Sequence, residues 1–329
     1  MNAPEGKHSS NLGLPKVSVL RFCLLTFLSA LLFCMGAFVP VLGMAASMFS
    51  PTPLALLGIR ENKRWMTLGI FAACASLWIL FGPWFVLYFF LGECCLTFGL
   101  TLPLGKVKTG GEALFFCITV SVISKLLFLG VVVSLTGQNP FEVDQAVLRN
   151  LFNRLYAETF QGAQEAAFLK EMLDQAAQFV SHMLPSLILM SSALDSFLNY
   201  RLCETLQRRK ERVFPALPSF AEWRFPRSLL WTLALAFFLP LFVESEVWSL
   251  WTALEMNLKF LVNVFFFLQG ASLVWWMLLK YRVHLMLRVS IIFLLTLPFL
   301  IMWVIALGLG DMCLDLRKRP SKENDKQAF

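Results

Sequence analysis

Charge is what this 329-residue chain has least of: 15% of its residues are Asp, Glu, Lys or Arg, against 58% hydrophobic, with 33 Phe and 10 Trp. A water-soluble protein of that composition would lack the polar surface to cover itself, which excludes an ordinary soluble globular fold. Histidine is scarcer still. His8, His182 and His284 are isolated from one another and from the cysteines, so neither a metal centre nor a Ser/His/Asp constellation is written in local form. The eight cysteines never reach C-x-x-C spacing and nearly all fall within or beside apolar runs, as small core hydrophobes do. A phosphate loop is missing too. In Leu104-Gly-Lys-Val-Lys-Thr-Gly-Gly111 the spacing back to Gly99 is wrong, and Val107 stands where a hydroxyl residue is needed. With no nucleophile and base together, the chain reads as no enzyme, with no metal and no cofactor. The net charge of +7 does not indicate nucleic acid, because the basic residues lie between apolar segments rather than along one exposed element.

What the chain has in abundance is long apolar runs. Nine are each roughly long enough as a helix to cross a ~30 Å hydrocarbon layer: residues 17–39, 41–59, 65–82, 84–104, 113–136, 182–204, 228–246, 257–280 and 289–310. The expected fold is therefore an all-α polytopic transmembrane bundle over 17–310, with a tail at 1–16 and a polar tail at 311–329. Its first partner is the lipid bilayer. Alternate connections hold 18 Lys and Arg on one side and 3 on the other, so the positive-inside rule places the N-terminus in the cytoplasm. The basic tail, with Arg317, Lys318, Arg319, Lys322 and Lys326, falls on the wrong side in this count, and eight spans would resolve that. The weakest span is 41–59, where Pro51-Thr-Pro53 is expected to interrupt the helix.

Two connections stand out. Residues 137–181 carry Asn139-Pro140-Phe-Glu142 as a helix start, then Leu148, Leu151, Phe152, Leu155 and Phe160, and after Gly162 the residues Phe168, Leu169, Met172, Ala176 and Phe179, all at helical spacing. This predicts an external insertion of two amphipathic helices, lying on the membrane or capping a cavity. The second connection, 205–227, joins a basic run containing Arg208 and Arg209 to a segment with Pro218, Trp223 and Pro226. Its prolines rule out a continuous helix, and its aromatic residues suit a headgroup anchor or a partner-binding patch.

Ionisable groups within spans are costly and tend to face a bundle interior or a water-filled cavity, which makes Glu93, Lys125 and Asp195 the first candidate site residues. Glu93 and Lys125, on neighbouring spans, are expected to pair; Asp195 and Asn199 share a helix face. Asn263 and Gln269 add uncharged donors and acceptors, as helix-to-helix glue or as ligand contacts. Small residues recur at four-residue spacing in Gly43 and Ser47, Ala46 and Ser50, and Ala72 and Ser76, which lets helices approach closely.

Asn199-Tyr200, the basic run, Leu217-Pro-Ser-Phe-Ala-Glu-Trp-Arg-Phe-Pro226, Phe267-Leu-Gln-Gly270 and the closing Leu307-Gly-Leu-Gly-Asp311-Met-Cys-Leu-Asp315-Leu-Arg-Lys318 together resemble the YybS-like predicted membrane proteins of bacteria, a domain family of unknown function. Pro51-Thr-Pro53 followed by Gly58 is similar as well. The resemblance covers about residues 17–319. It implies a bacterial inner membrane location and first six spans like the six-helix substrate-binding subunits of energy-coupling-factor vitamin transporters, in which a small-residue motif of the first span docks the coupling protein; here that span offers only Ala30 and Cys34. The functional expectation is a transporter-like subunit binding a small solute and served by an energising partner protein. The alternative is a scaffold or regulatory protein acting through the 208–226 connection.

Overall fold

The computed structural model describes residues 19–39, 41–137, 163–207, 214–242 and 250–318. The first helix expected in the insertion, and the candidate residues Arg208 and Arg209, lie outside them. Among the described residues there is no strand. The chain is a membrane protein, all helical, and divides into two compact units: residues 1–132 with 191–216, and residues 133–190 with 217–329.

In the first unit, α1 (Val19–Phe38), α2 (Leu42–Ser47), α3 (Pro51–Arg60) and α4 (Lys63–Phe81) are followed by α5 (Pro83–Leu87), a π-helical turn (Tyr88–Cys94), α6 (Cys95–Thr101) and α7 (Gly110–Thr136). The expected break at Pro51 is present, and it is also a beginning: Pro51 occupies the first position of α3, where its missing N–H costs nothing and its fixed φ suits a helix. Pro51 to Leu57 are all buried, so this short helix is the unit's axis. Around it Phe33, Leu54, Leu57, Met66, Ile70, Ala73, Leu77, Phe89 and Cys94 form one core. Phe33 meets Phe89, Tyr88 and Phe85 at ring-centroid distances of 5.0, 5.4 and 6.4 Å. Of the small-residue pairs, Gly43 lies hard against Met35, where an added Cβ would stand 1.9 Å from the carbonyl oxygen. Ala72 and Ser76 instead face outward; Gly69 and Ala73 take the buried side of α4.

One helix, α8 (Ala163–Gln207), runs through residues of both units. The second expected insertion helix and the expected span 182–204 are parts of this single 45-residue element, about 68 Å long at 1.5 Å per residue. Pro185 lies inside it without ending it. Within the second unit Asn257 replaces the backbone hydrogen bond opened there: its Oδ1 accepts from the Ser186 N–H at 2.9 Å and its Nδ2 donates to the His182 carbonyl at 2.5 Å. A side-chain amide thus satisfies both halves of a broken helical bond, as a low-dielectric setting requires.

The second unit continues with a 3-10 turn (Phe220–Glu222), α9 (Ser228–Phe242), α10 (Leu250–Lys280), α11 (Leu285–Leu294), α12 (Pro298–Leu314) and a closing 3-10 turn (Leu316–Lys318). Val262, Phe266 and Met312 form its core, with Phe225, Leu229, Leu230 and Leu233 packed on it.

Six described helices are long and apolar enough to cross a bilayer: 19–38, 42–60, 63–81, 83–101, 110–136 and 250–280. A seventh is added if α11 and α12, bent by 103° at their junction, are one crossing. The expected single span 289–310 is therefore broken, with Pro298 starting a new helix. The expected spans 182–204 and 228–246 are not among the six. The first is rich in polar residues such as Asp195, Asn199, Arg201 and Glu204; the second is described only as a short apolar helix, Ser228–Leu239.

Candidate functional site

Three of the sequence's candidate residues come together in the first unit. Lys125 extends from the middle of α7 and its Nζ lies 2.5 Å from Asp195 Oδ2 on α8, with a hydrogen bond to the Ser191 hydroxyl at 3.1 Å. Ser191 precedes Asp195 by one helical turn, so both oxygens reach the ammonium from one face. The partner of Lys125 is therefore Asp195, not Glu93 as the neighbouring-span argument expects. Both side chains are mostly buried, at 20% and 16% exposure.

Glu93 belongs to the π-helical turn, whose wider i→i+5 winding rotates it away from the register that an α-helix would give. Ser124, one residue before Lys125, donates to the Leu91 carbonyl of the same turn and ties α7 to it. Glu93 has no hydrogen-bond or ion-pair partner among the described residues, yet its carboxylate is within electrostatic range of Asp195 and Lys125, as is Tyr88 of both carboxylates. Ser192 and Ser196, one turn apart on α8, are fully buried with hydroxyls that find no partner among the described residues. The arrangement is a satisfied ion pair with, in electrostatic range of it, a carboxyl group that makes no hydrogen bond or ion pair among the described residues.

Asn199 is adjacent but differently used. Its Nδ2 donates to the Met48 carbonyl at 2.7 Å and to the Asp195 carbonyl at 2.9 Å, and its Oδ1 accepts from the Thr52 hydroxyl at 2.6 Å. Both amide hydrogens are spent on backbone, one of them on the break between α2 and α3, so this completely buried side chain closes a backbone gap and keeps no donor for a ligand. Replacing Asn199 by leucine is expected to lower stability by about 2–3 kcal/mol, since it strands the Met48 carbonyl and the Thr52 hydroxyl. A fall in apparent Tm of the detergent-solubilised protein measures it; an unchanged Tm contradicts this role.

Gln269 and Asn263 lie in the other unit, where Asn263 is exposed on α10. Gln269 is the centre of a second polar network: its Nε2 donates to Asp311 Oδ2 at 2.5 Å and its Oε1 accepts from the Phe225 N–H at 3.1 Å. Arg317 completes it. The guanidinium lies 3.2 Å from Asp311 Oδ2 and donates to the Ala221 carbonyl at 2.5 Å and the Ser272 hydroxyl at 3.1 Å. Burial pushes the Arg317 pKa down from its ordinary value, and the Asp311 carboxylate opposes that shift.

The network explains the Pro-rich connection. Ser272 donates to the Phe220 carbonyl at 2.6 Å, Arg224 pairs with Asp315 at 3.2 Å, and Trp223 donates to the Pro218 carbonyl at 3.4 Å. Ser219 and Glu222 form a capping box around the 3-10 turn. Trp223 stacks edge-on with Phe220 at 5.2 Å, and Phe225 packs on Phe265 at 5.2 Å. The aromatic residues read as a headgroup anchor thus pack within their own unit, while Pro218 and Pro226 are exposed. Sequence reasoning missed Ser191, Ser124, Asn257 and Arg317 as participants. For Ser191 the signal was available, one turn before Asp195; for Arg317 none was, because it reads as one of several tail cations.

The family model described as predicted membrane protein (DUF2232) matches residues 27–312. The chain is similar to the uncharacterized protein YybS of Bacillus subtilis (strain 168), at 23% identity over 263 residues that cover 78% of this chain and 83% of that protein. No solved structure matches.

Proposed function

We propose that this chain, which belongs to the DUF2232 family of predicted membrane proteins, is a transporter-like, non-enzymatic membrane subunit that binds a small solute carrying a positively charged group at Glu93. The observation that carries the reading is the Lys125–Asp195 ion pair with Glu93 in electrostatic range of it and without a hydrogen-bond or ion-pair partner among the described residues. Bilayer-embedded charges are expensive, and one that is left unpaired is retained where something else pairs with it. In this reading the protein sits in a bacterial inner membrane with its N-terminus in the cytoplasm. The crossings number nine when α8, α9 and the bent α11–α12 pair each count as one. A partner protein or an ion gradient supplies any energy, and the likeness to substrate-binding subunits of energy-coupling-factor transporters is a fold-level analogy within the proposal. The inward packing of Trp223 and Phe225 favours solute binding over a scaffold acting through that connection.

A thermal-shift series on the purified protein with choline, putrescine, thiamine and sodium tests it, because a ligand of the folded state raises its apparent Tm. A stabilising solute is expected, and Glu93→Gln is expected to weaken it about tenfold to hundredfold through loss of a charge-assisted hydrogen bond. Should Glu93→Gln leave every response as in the wild type, the reading is wrong.

A further inference from the structure

The first unit holds another recess, distinct from the Lys125 site. The ends of α3, α6 and α8 and the start of α4 meet there around a cavity of about 270 Å³, lined by Gly58, Lys63, Thr101, Gly105, Gln207 and Phe214. That volume is just below the ~300–1,000 Å³ of pockets for drug-sized ligands and suits one ring with one charged substituent.

Gln207 decides the chemistry. It is wholly buried, at 0% exposure, and both its amide nitrogen and its amide oxygen lack a partner among the described residues. A buried amide left unmet at both ends bears the full desolvation cost of each, and such groups in a native fold call for an explanation. Thr101 does not relieve it, because its hydroxyl is spent on the Thr97 carbonyl at 3.0 Å. A donor and an acceptor side by side on one planar amide are the complement of a lactam or imide edge.

Two further features complete the cavity. Lys63 is the first residue of α4, so its ammonium and the positive end of that helix act on the same side. Phe214 offers a ring face, and its place is fixed from behind: Tyr200, completely buried, lies 4.8 Å from it between centroids and donates its hydroxyl to the Pro215 carbonyl at 2.7 Å. Arg60 ties the end of α3 to the end of α8 through the Leu206 carbonyl at 3.3 Å. The walls are thus held by contacts that do not involve a ligand.

We propose that this cavity binds a small planar anion with a lactam or imide edge, the chemical class to which orotate and uracil-5-carboxylate belong. The edge pairs with the Gln207 amide, the ring lies on Phe214, and the carboxylate meets Lys63.

The test is a thermal-shift titration of the full chain in detergent micelles with orotate and uracil-5-carboxylate. Uracil supplies the edge without the charge, and benzoate the charged ring without the edge. Orotate or uracil-5-carboxylate is expected to raise the apparent Tm, and each partial probe to raise it less. Gln207→Leu is expected to abolish the shift while leaving the ligand-free Tm unchanged or higher, since an unmet amide is replaced by an apolar group. Lys63→Ala is expected to weaken binding about tenfold. Glu93→Gln should leave this shift intact, which separates the cavity from the proposed solute site. No response of the wild type to either anion, or a shift that survives Gln207→Leu, overturns the proposal. If Gln207→Leu does not fold, Gln207→Glu keeps the side chain's shape while setting a like charge against the anion, and a shift persisting in that variant overturns it equally.

Discussion

Alanine at Arg317 is expected to destabilise the protein by about 3–5 kcal/mol, the cost of removing one partner of a buried ion pair. The Arg317 and Asp311 side chains are 2% and 3% exposed. The guanidinium also donates to the Ala221 carbonyl and the Ser272 hydroxyl, so the substitution empties three positions of one fork at once. What remains is a carboxylate with the Gln269 amide as its hydrogen-bond donor and with Oδ1 already unpaired. Lysine at 317 keeps the charge but not the planar fork, so it should recover only part of the loss. The double change Arg317→Met with Asp311→Leu removes both charges and should be more stable than Arg317→Ala. Apparent Tm in detergent reads all three; a wild-type Tm for Arg317→Ala would mean that the network contributes no net stability.

The contrast between what was and was not legible follows from dimensionality. Glu93, Lys125 and Asp195 stand out in one dimension, because a charge in an apolar run is visible without knowing its neighbours. Their pairing is not visible: sequence adjacency of spans put Glu93 with Lys125, whereas α8 brings Asp195 and Ser191 to the ammonium instead. Asn199 shares a face with Asp195 by its spacing, but its role depends on the Met48 carbonyl beside the break expected at Pro51, and only the fold brings the two together. The single length of α8 is not visible locally, because the amphipathic stretch before residue 181 and the apolar stretch 182–204 read as two elements. Pro185 lies inside the latter, and the residue that makes it tolerable, Asn257, lies 71 positions away from the Ser186 N–H it accepts. Length and hydropathy give six described crossings, or seven with the bent pair, because polar residues on α8 and the bend before Pro298 fall within two of the expected spans.

Gly308 illustrates the same limit and carries the other large effect. Valine there is expected to cost about 3 kcal/mol or more, above the usual 1–3 kcal/mol of overpacking, because the obstruction is backbone. A Cβ at 308 would stand 1.9 Å from the Phe266 carbonyl oxygen and 2.8 Å from the Gly270 nitrogen; one at 270 would stand 2.0 Å from the Val304 carbonyl oxygen. The two glycines are each other's clearance, the close helix approach that small residues permit in membranes. No rotamer relieves such a clash, so α10 and α12 must part by more than 1 Å, a distance set by the difference from ordinary contact at about 3.4 Å. Separation loosens the Val262, Phe266 and Met312 core and draws Gln269, next to Gly270, from Asp311. Gly308→Ala should already lower the apparent Tm, and Gly308→Val more. Gly310 provides the control, since it lies on the same helix with nothing within 4 Å of an added Cβ. Gly310→Ala is therefore expected to be neutral or stabilising by up to about 1 kcal/mol, as alanine is the better helix former. Equal Tm losses at 308 and 310 would show that helix flexibility, not the α10–α12 approach, is what these glycines supply.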